Sequence, residues 1–244
     1  MAERPILFNA SMVRAIMTGT KTQTRRIAKP IRHPDLGNVY TPGALILEHE
    51  PQHVIERACP YGQPGDRLWI REAWRIGAWN EEDQQIAVDY IDGPDKSWRQ
   101  VPLTPEGQEL FDRLWMQSSD ECRRNGLRPD ADGNYRWAPG ESPLRWRPSI
   151  HMPLWASRIT LEITGVRVKR LQDISEGDAV AEGVFRKVGA TSFGDAVETV
   201  TGGQLIYADP SQAREEFRRL WEHINGPWSW AANPWVWVLD FKRA

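Results

Sequence analysis

Residues 155–183 have the sequence WASRITLEITGVRVKRLQDISEGDAVAEG and contain the clearest strand pattern and the clearest helix start of the chain. Apolar and polar residues alternate from 159 to 164, which predicts a strand over 155–168 with one buried face. Ser175 is followed three positions later by an aspartate, a capping box that predicts the start of a helix. Gly183 is predicted to end that helix.

The remaining elements are predicted to be short and to surround this strand and helix. Further strands are expected at 5–8, 22–27, 67–71, 86–91 and 235–241, and further helices at 10–18, after Thr104 and from 210 to 224. The proline-rich segment 31–64 is predicted as loop. Several short strands with three or four helices favour an α+β fold in which a small β-barrel or curved sheet carries flanking helices.

The chain is predicted to be one domain, 1–244, with loop insertions in a compact core. The core is expected at about 5–30, 62–75, 150–184 and 209–243, and the insertions at 31–61, 76–149 and 185–208.

Composition limits the possible functions. The 244 residues carry a net charge of −2, which excludes binding of nucleic acid through a strongly basic whole protein. Two cysteines in no paired motif indicate a reducing compartment, and we expect a cytoplasmic protein because neither a secretory signal nor a membrane-length apolar run is found. Histidines and cysteines show no metal-ligand spacing, so neither a metal nor another cofactor is predicted. No protein partner can be deduced.

Charge is unevenly distributed along the chain. Residues 1–32 and 143–170 are strongly basic, whereas the acids lie mainly in 80–125 and 173–222. The two basic stretches are expected either to form one ligand-binding patch or to pair with the acidic stretches, and counting charges does not separate these alternatives.

The segment Gly19-Thr20-Lys21-Thr22-Gln23-Thr24-Arg25-Arg26 combines a lysine, hydroxyl groups and two arginines. It resembles the end of a phosphate-binding loop but lacks the upstream glycine. A lysine desolvated beside other cations has a lowered pKa and acts as a base, and a threonine next to a base becomes a nucleophile. The alternative is that Lys21 and Arg25 lie on an exposed polar strand face, which spacing by itself favours. The catalytic hypothesis requires Lys21 to precede the pleat, since positions 21 and 24 of a regular strand face opposite ways.

Glu182 is a second anomaly. It lies in the last turn of the predicted capped helix, where its negative charge opposes the helix dipole. A residue that breaks a local rule is a candidate for function, and the alternative is a salt bridge to a nearby arginine such as Arg186.

These residues carry a family resemblance. The stretch from Gly19 to Arg26 resembles the G-x-K-T-x-T-x-R signature of ASCH-domain proteins, which belong to the PUA-like β-barrel superfamily. Further similarities follow in the family's order at 65–68, 174–183 and 237–241, and the segments 59–62 and 145–149 are similar to long ASCH proteins of phages and prophages.

The resemblance implies a PUA-like small β-barrel and, through one enzymatic branch of the family, N4-acetylcytidine amidohydrolase chemistry. It implies that Lys21 is the base, Thr24 the nucleophile and Glu182 a proton donor or transition-state stabiliser, at a site for a nucleoside or RNA ligand. The residues predicted to bind that ligand are Arg25, Arg26, Trp69, Arg71 and Trp155.

Three other functions remain open from the sequence. The first is a non-catalytic module that binds RNA or a modified base by stacking on tryptophans. The second is a ribonuclease in which Lys21 and Arg25 stabilise charge at a phosphate. The third is a purely structural role, which no residue pattern in the sequence supports.

Overall fold

A computed structural model describes residues 1–91, 93, 97–138, 140–184 and 212–244 of the chain. These residues form an α+β fold, which confirms the predicted class at that level. The chain divides into two compact units, the first made of 1–4, 11–68 and 160–244 and the second of 5–10 and 69–159.

Six α-helices and ten strands lie in the described ranges. The helices are α1 (Ala10–Met17), α2 (Pro42–Leu47), α3 (Gln52–Ala58), α4 (Pro105–Arg124), α5 (Glu176–Ala181) and α6 (Ala213–Asn225). The strands are β1 (Glu3–Leu7), β2 (Gln23–Ile27), β3 (Ile31–Arg32), β4 (Val39–Tyr40), β5 (Arg67–Arg71), β6 (Trp74–Asn80), β7 (Gln85–Tyr90), β8 (Ser97–Gln100), β9 (Thr160–Arg170) and β10 (Trp235–Arg243).

The main sheet has the strand order β1-β5-β9-β10-β2. The last strand of the sequence, β10, lies inside it and pairs antiparallel with both β9 and β2. Residues 236–239 are consequently buried on both faces of the sheet. The pairing of Leu239 with Thr24 and of Val238 with Arg25 fixes the register of the motif strand β2.

The strand predicted over 155–168 begins later than expected. Residues Leu154–Ala156 form a 3₁₀ turn preceded by Pro153, and β9 starts only at Thr160. Proline at the start of a helical turn is favourable because its fixed φ suits the turn and its missing N–H is not needed there.

The loop predicted over 31–64 is wrong for the helical residues 42–47 and 52–58 and for the short strands β3 and β4. This segment contains α2 and α3, with Pro42 at the first position of α2 and Pro51 capping α3. Prolines that were interpreted as loop markers therefore mark helix starts, and the count of helices exceeds the predicted three or four.

The first unit has a hydrophobic core beneath α5 and α6. Phe217, Leu220 and Trp221 of α6 pack with Val236 and Val238 of β10. The prediction that α6 starts at 210 falls partly on 185–211, which lie outside the described residues, as does the insertion predicted at 185–208.

The second unit contains the antiparallel sheet β6-β7-β8 and the long helix α4. The Thr104 hydroxyl accepts a hydrogen bond from the Gly107 N–H at 3.2 Å and so caps α4. Residues 76–149, predicted as an insertion, lie in this unit, which has a core of its own that includes Trp74, Ile86 and Phe111. Among the described helices, none combines the length and apolarity that crossing a bilayer requires.

Candidate functional site

The connection between α1 and β2 holds Lys21. Gly19 has a φ of +76°, a conformation that favours glycine, and the Lys21 N–H donates to the Ala15 carbonyl at 3.0 Å. The Thr22 N–H donates to the Ala181 carbonyl at 2.8 Å, which ties the connection to the end of α5. Because β2 begins only at Gln23, Lys21 precedes the pleat, as the catalytic hypothesis requires.

Lys21 and Glu182 are in direct contact although 161 positions separate them in sequence. Lys21 Nζ donates to a Glu182 carboxylate oxygen and to the Glu182 carbonyl oxygen, each at 2.8 Å. Both residues are buried, with exposed fractions of 2% and 4%. Burial lowers the pKa of Lys21 from its ordinary value of 10.5, although the charge of Glu182 acts to raise it.

Gly183 permits this close approach. Its φ is +76°, and a Cβ at this position would lie 2.8 Å from the Lys21 Cβ and 3.0 Å from the Ala15 Cβ. Any larger residue would therefore push the lysine away from Glu182.

Arg25 is the second cation on Glu182. Its guanidinium donates to Glu182 Oε1 at 3.1 Å and to Asp178 Oδ2 at 2.9 Å, and it also contacts the Gln23 side-chain oxygen. With 4% exposure, Arg25 is as buried as Glu182. The alternative that Lys21 and Arg25 lie on an exposed strand face is therefore wrong.

The polar network continues along β2. Gln23 Nε2 donates to Asp240 Oδ1 at 2.7 Å and to Asp178 Oδ1 at 3.3 Å, and Arg167 donates to both Asp240 oxygens. Arg167, from the basic stretch 143–170, is thus paired with an acid. The charge of Arg25 lowers the pKa of Asp178, although partial burial acts to raise it.

Asp178, Gln23 and Asp240 were not predicted as site residues. A signal for Asp178 was present, because positions 178 and 182 are four apart and fall on one face of a helix. Asp240 and Gln23 lie on strands whose pairing is known only from the fold.

A small cavity adjoins the network. It is lined by Thr24, Arg26 and Glu182 together with apolar residues of α6 such as Phe217 and Trp221, and its volume is about 60 Å³. Sites for drug-sized molecules measure on the order of 300–1,000 Å³, whereas this space suits a few waters or a small acyl group. Lys21 lies behind Glu182 and is not part of the lining, so it reaches the cavity through that carboxylate.

The cavity lining includes two positive groups of β2: Arg25, which is paired with Glu182 and Asp178, and Arg26. Burial lowers the pKa of the Arg26 guanidinium, yet arginine stays charged at any working pH. It therefore presents a permanent charge to whatever occupies the cavity.

The three other predicted ligand-binding residues belong to the second unit. Trp69 is buried with Arg71 stacked 4.7 Å from its ring, and Trp155 packs edge-on against Trp74 at 5.8 Å. Their role in ligand binding stays a prediction. No cluster of three or more His, Cys, Asp or Glu suited to a metal ion occurs within the described ranges.

Comparison with known proteins adds no assignment, since no family model, curated protein or solved structure matches this chain.

Proposed function

We propose that this chain is an ASCH-type amidohydrolase of PUA-like fold that removes an acyl group from an N4-acetylcytidine-like nucleobase. The observation that carries the proposal is the buried contact of Lys21 with Glu182 next to a cavity that Thr24 lines. These are the three residues to which the family resemblance assigns catalysis. Under this proposal the main sheet with β10 and β2 corresponds to the PUA-like barrel.

The reactive form of the pair is an uncharged Lys21 amine facing a protonated Glu182 carboxyl. Moving the proton from nitrogen to carboxylate removes two buried charges, and burial already lowers the pKa of Lys21. The pair then holds a proton donor, Glu182, on the cavity lining and a proton acceptor, Lys21, behind it.

Acyl transfer to the enzyme is the first half of the reaction. Thr24 Oγ attacks the acyl carbon and gives its proton to Glu182, which passes its own proton to Lys21. Arg26 stabilises the oxyanion of the tetrahedral intermediate. The carbon–nitrogen bond breaks as Glu182 protonates the departing amine, which leaves acyl-Thr24, a Lys21 ammonium and a Glu182 carboxylate.

Hydrolysis of the acyl-enzyme is the second half. Water attacks the ester carbon and its proton goes to Glu182. The Thr24 oxygen leaves and takes a proton from Glu182. Lys21 then returns a proton to Glu182. The carboxylic acid is released and the uncharged pair is restored.

The size of the cavity sets where the substrate sits. With about 60 Å³, it accepts the acyl group while the base and sugar stay outside. Entry of a whole nucleoside requires lining side chains such as Trp221 to move.

The direct test is release of cytidine from N4-acetylcytidine by the purified full chain, followed chromatographically. We expect Thr24→Ala to abolish turnover and Glu182→Gln to reduce it by about 10²-fold or more, because the proton relay is lost. Thr22→Ala is the matched control: this threonine belongs to the same motif but is exposed, and its hydrogen bonds to Ala181 and Phe241 use backbone atoms only. Absence of turnover by the wild type, or undiminished turnover by Thr24→Ala, contradicts the proposal.

One observation favours the alternative of a binding module without catalysis. Lys21 Nζ donates two hydrogen bonds to Glu182, which is the arrangement of a stable ion pair rather than of a free base. Calorimetric titration with N4-acetylcytidine separates the two functions, since saturable binding without any cytidine release supports the binding module.

A further inference from the structure

The second unit contains a cavity of about 680 Å³ that the proposed reaction does not use. Its walls come from the end of β6, from β8, from α4 and from the segment 133–137. The volume lies within the range of about 300–1,000 Å³ typical of small-molecule sites.

Aromatic side chains form the walls. Trp79 is fixed edge-on against Phe111 with ring centroids 5.3 Å apart, and the Trp137 indole N–H donates to the Gly77 carbonyl at 2.6 Å. Trp98 and Trp115 also line the cavity and retain 47% and 36% exposure. Two anchored and two exposed indoles thus line one space.

The base of the cavity lies on α4 and is made of small residues. Ser118 and Ser119 are buried there, and the Ser118 hydroxyl donates to the Leu114 carbonyl at 2.8 Å. Burial raises the pKa of the Cys122 thiol, so this cysteine is protonated at neutral pH. These groups supply no reactive nucleophile to the cavity.

The charge at the cavity is negative. Glu81 and Glu82 lie on its lining in the turn after β6, and neither forms an ion pair with any residue in the described ranges. The positive charge of Arg136 is compensated by Asp130, whose carboxylate lies 2.7 Å from its Nε. Uncompensated carboxylates repel a phosphate and attract a cation.

We propose that this cavity is a binding site for an organic cation, of the alkylated ammonium class, held over tryptophan faces and neutralised by Glu81 and Glu82. Tryptophan is the side chain that binds cations most strongly through its ring, and such binding increases where water is excluded. The carboxylates beside the rings complement a positive charge, whereas a neutral planar ligand would need no such charge. Their presence therefore favours a cation.

The test uses choline as the probe, with the alcohol in which a carbon replaces the choline nitrogen as its uncharged isostere. Chemical shifts of the tryptophan indole N–H groups are followed in the full-length protein. We expect saturable shifts with choline and binding of the isostere weaker by roughly tenfold, since the shapes match and only the charge differs.

Variants locate the site. Trp98→Ala and Trp115→Ala are each expected to weaken choline binding by about threefold to thirtyfold. The double variant Glu81→Gln, Glu82→Gln is expected to weaken choline binding but to leave the affinity for the uncharged isostere unchanged. Trp228→Ala is the control, because this indole is 80% exposed and belongs to the first unit.

The proposal is overturned if choline gives no saturable shift, if the isostere binds equally well, or if a nucleoside monophosphate displaces choline and binds more tightly. If choline binds equally well to both tryptophan variants, the cation binds elsewhere on the protein and the cavity is not its site.

Discussion

At the scale of the residue, Lys21 decides the character of the site. A lysine with 2% exposure is uncommon in proteins, and here its charge is balanced by Glu182 at 2.8 Å. Breaking such a pair by removing one partner leaves an uncompensated buried charge. Gly183 completes the arrangement, because only a residue without a Cβ fits against the lysine at that point.

The lowered pKa of Lys21 predicts how stability depends on pH. The folded chain releases this proton at a lower pH than the unfolded chain, whose lysine titrates near 10.5. Between the lowered pKa and 10.5 the unfolded state therefore binds more protons, and the contribution of Lys21 to the free energy of unfolding rises with pH.

The measurement is urea unfolding of the wild type and of Lys21→Met from neutral pH to 10.5. Subtracting the two free energies of unfolding cancels groups that do not contact Lys21, such as Cys59, whose pKa burial raises to about 11. The difference, wild type minus variant, is expected to increase with pH. A difference that is flat or falls contradicts a depressed lysine pKa and with it the role of Lys21 as a base.

At the scale of the element, α5 holds the acidic half of the site. This helix has six residues, too few to be stable alone, so its ends determine whether it forms. The Ser175 hydroxyl accepts from the Asp178 N–H at 3.0 Å, and Gly183 follows its last turn at a φ of +76°. The cap thus fixes the helix that presents Asp178 and Glu182 on one face.

Removal of the cap tests this role. Ser175→Ala is expected to lower the free energy of unfolding by about 0.5–2 kcal/mol, because the Asp178 N–H loses its acceptor. Ser175→Asp is the matched variant, since a carboxylate caps equally well and also suits the helix dipole. Equal loss in both variants, measured by chemical denaturation, shows that the serine stabilises the protein by something other than capping.

At the scale of the whole molecule, two compact units have separate hydrophobic cores. The core of the first unit includes Phe217 and Val236, and that of the second includes Ile86 and Phe111. Every residue of the Lys21–Glu182 network lies in the first unit, and every residue that lines the larger cavity lies in the second.

Separate cores predict separate local stability. Ile86 is fully buried in β7, so Ile86→Ala is expected to cost about 2–5 kcal/mol through lost burial and an added cavity. Native-state hydrogen exchange is expected to show this loss at the amides of β7 and unchanged protection in β10. The control Ile91→Ala removes an isoleucine that is 56% exposed and is expected to change stability by less than about 0.5 kcal/mol. An equal loss of protection in β10 shows instead that both units unfold together.

Local features were predictable from the sequence because neighbours in the chain set them. The Ser175 cap, the glycine end of α5 and the strand at Arg67–Arg71 were predicted where the structure has them. The helices α2 and α3 were missed because proline suits both a loop and the start of a helix, and only packing separates these uses.

The candidate site divides in the same way. The sequence by itself singled out Lys21, Thr24 and Glu182 as candidate catalytic residues, and the catalytic hypothesis required Lys21 to precede the pleat of β2. It left open whether Lys21 and Arg25 are exposed, and it gave a salt bridge to a nearby arginine such as Arg186, which lies outside the described residues, as the alternative for Glu182. Only the tertiary structure decided that Glu182 meets Lys21 and Arg25, because a contact across 161 positions depends on the packing of α5 against β2 and on the sheet register, not on local sequence. For the same reason, only the fold brought four tryptophans and two unpaired glutamates together around one cavity.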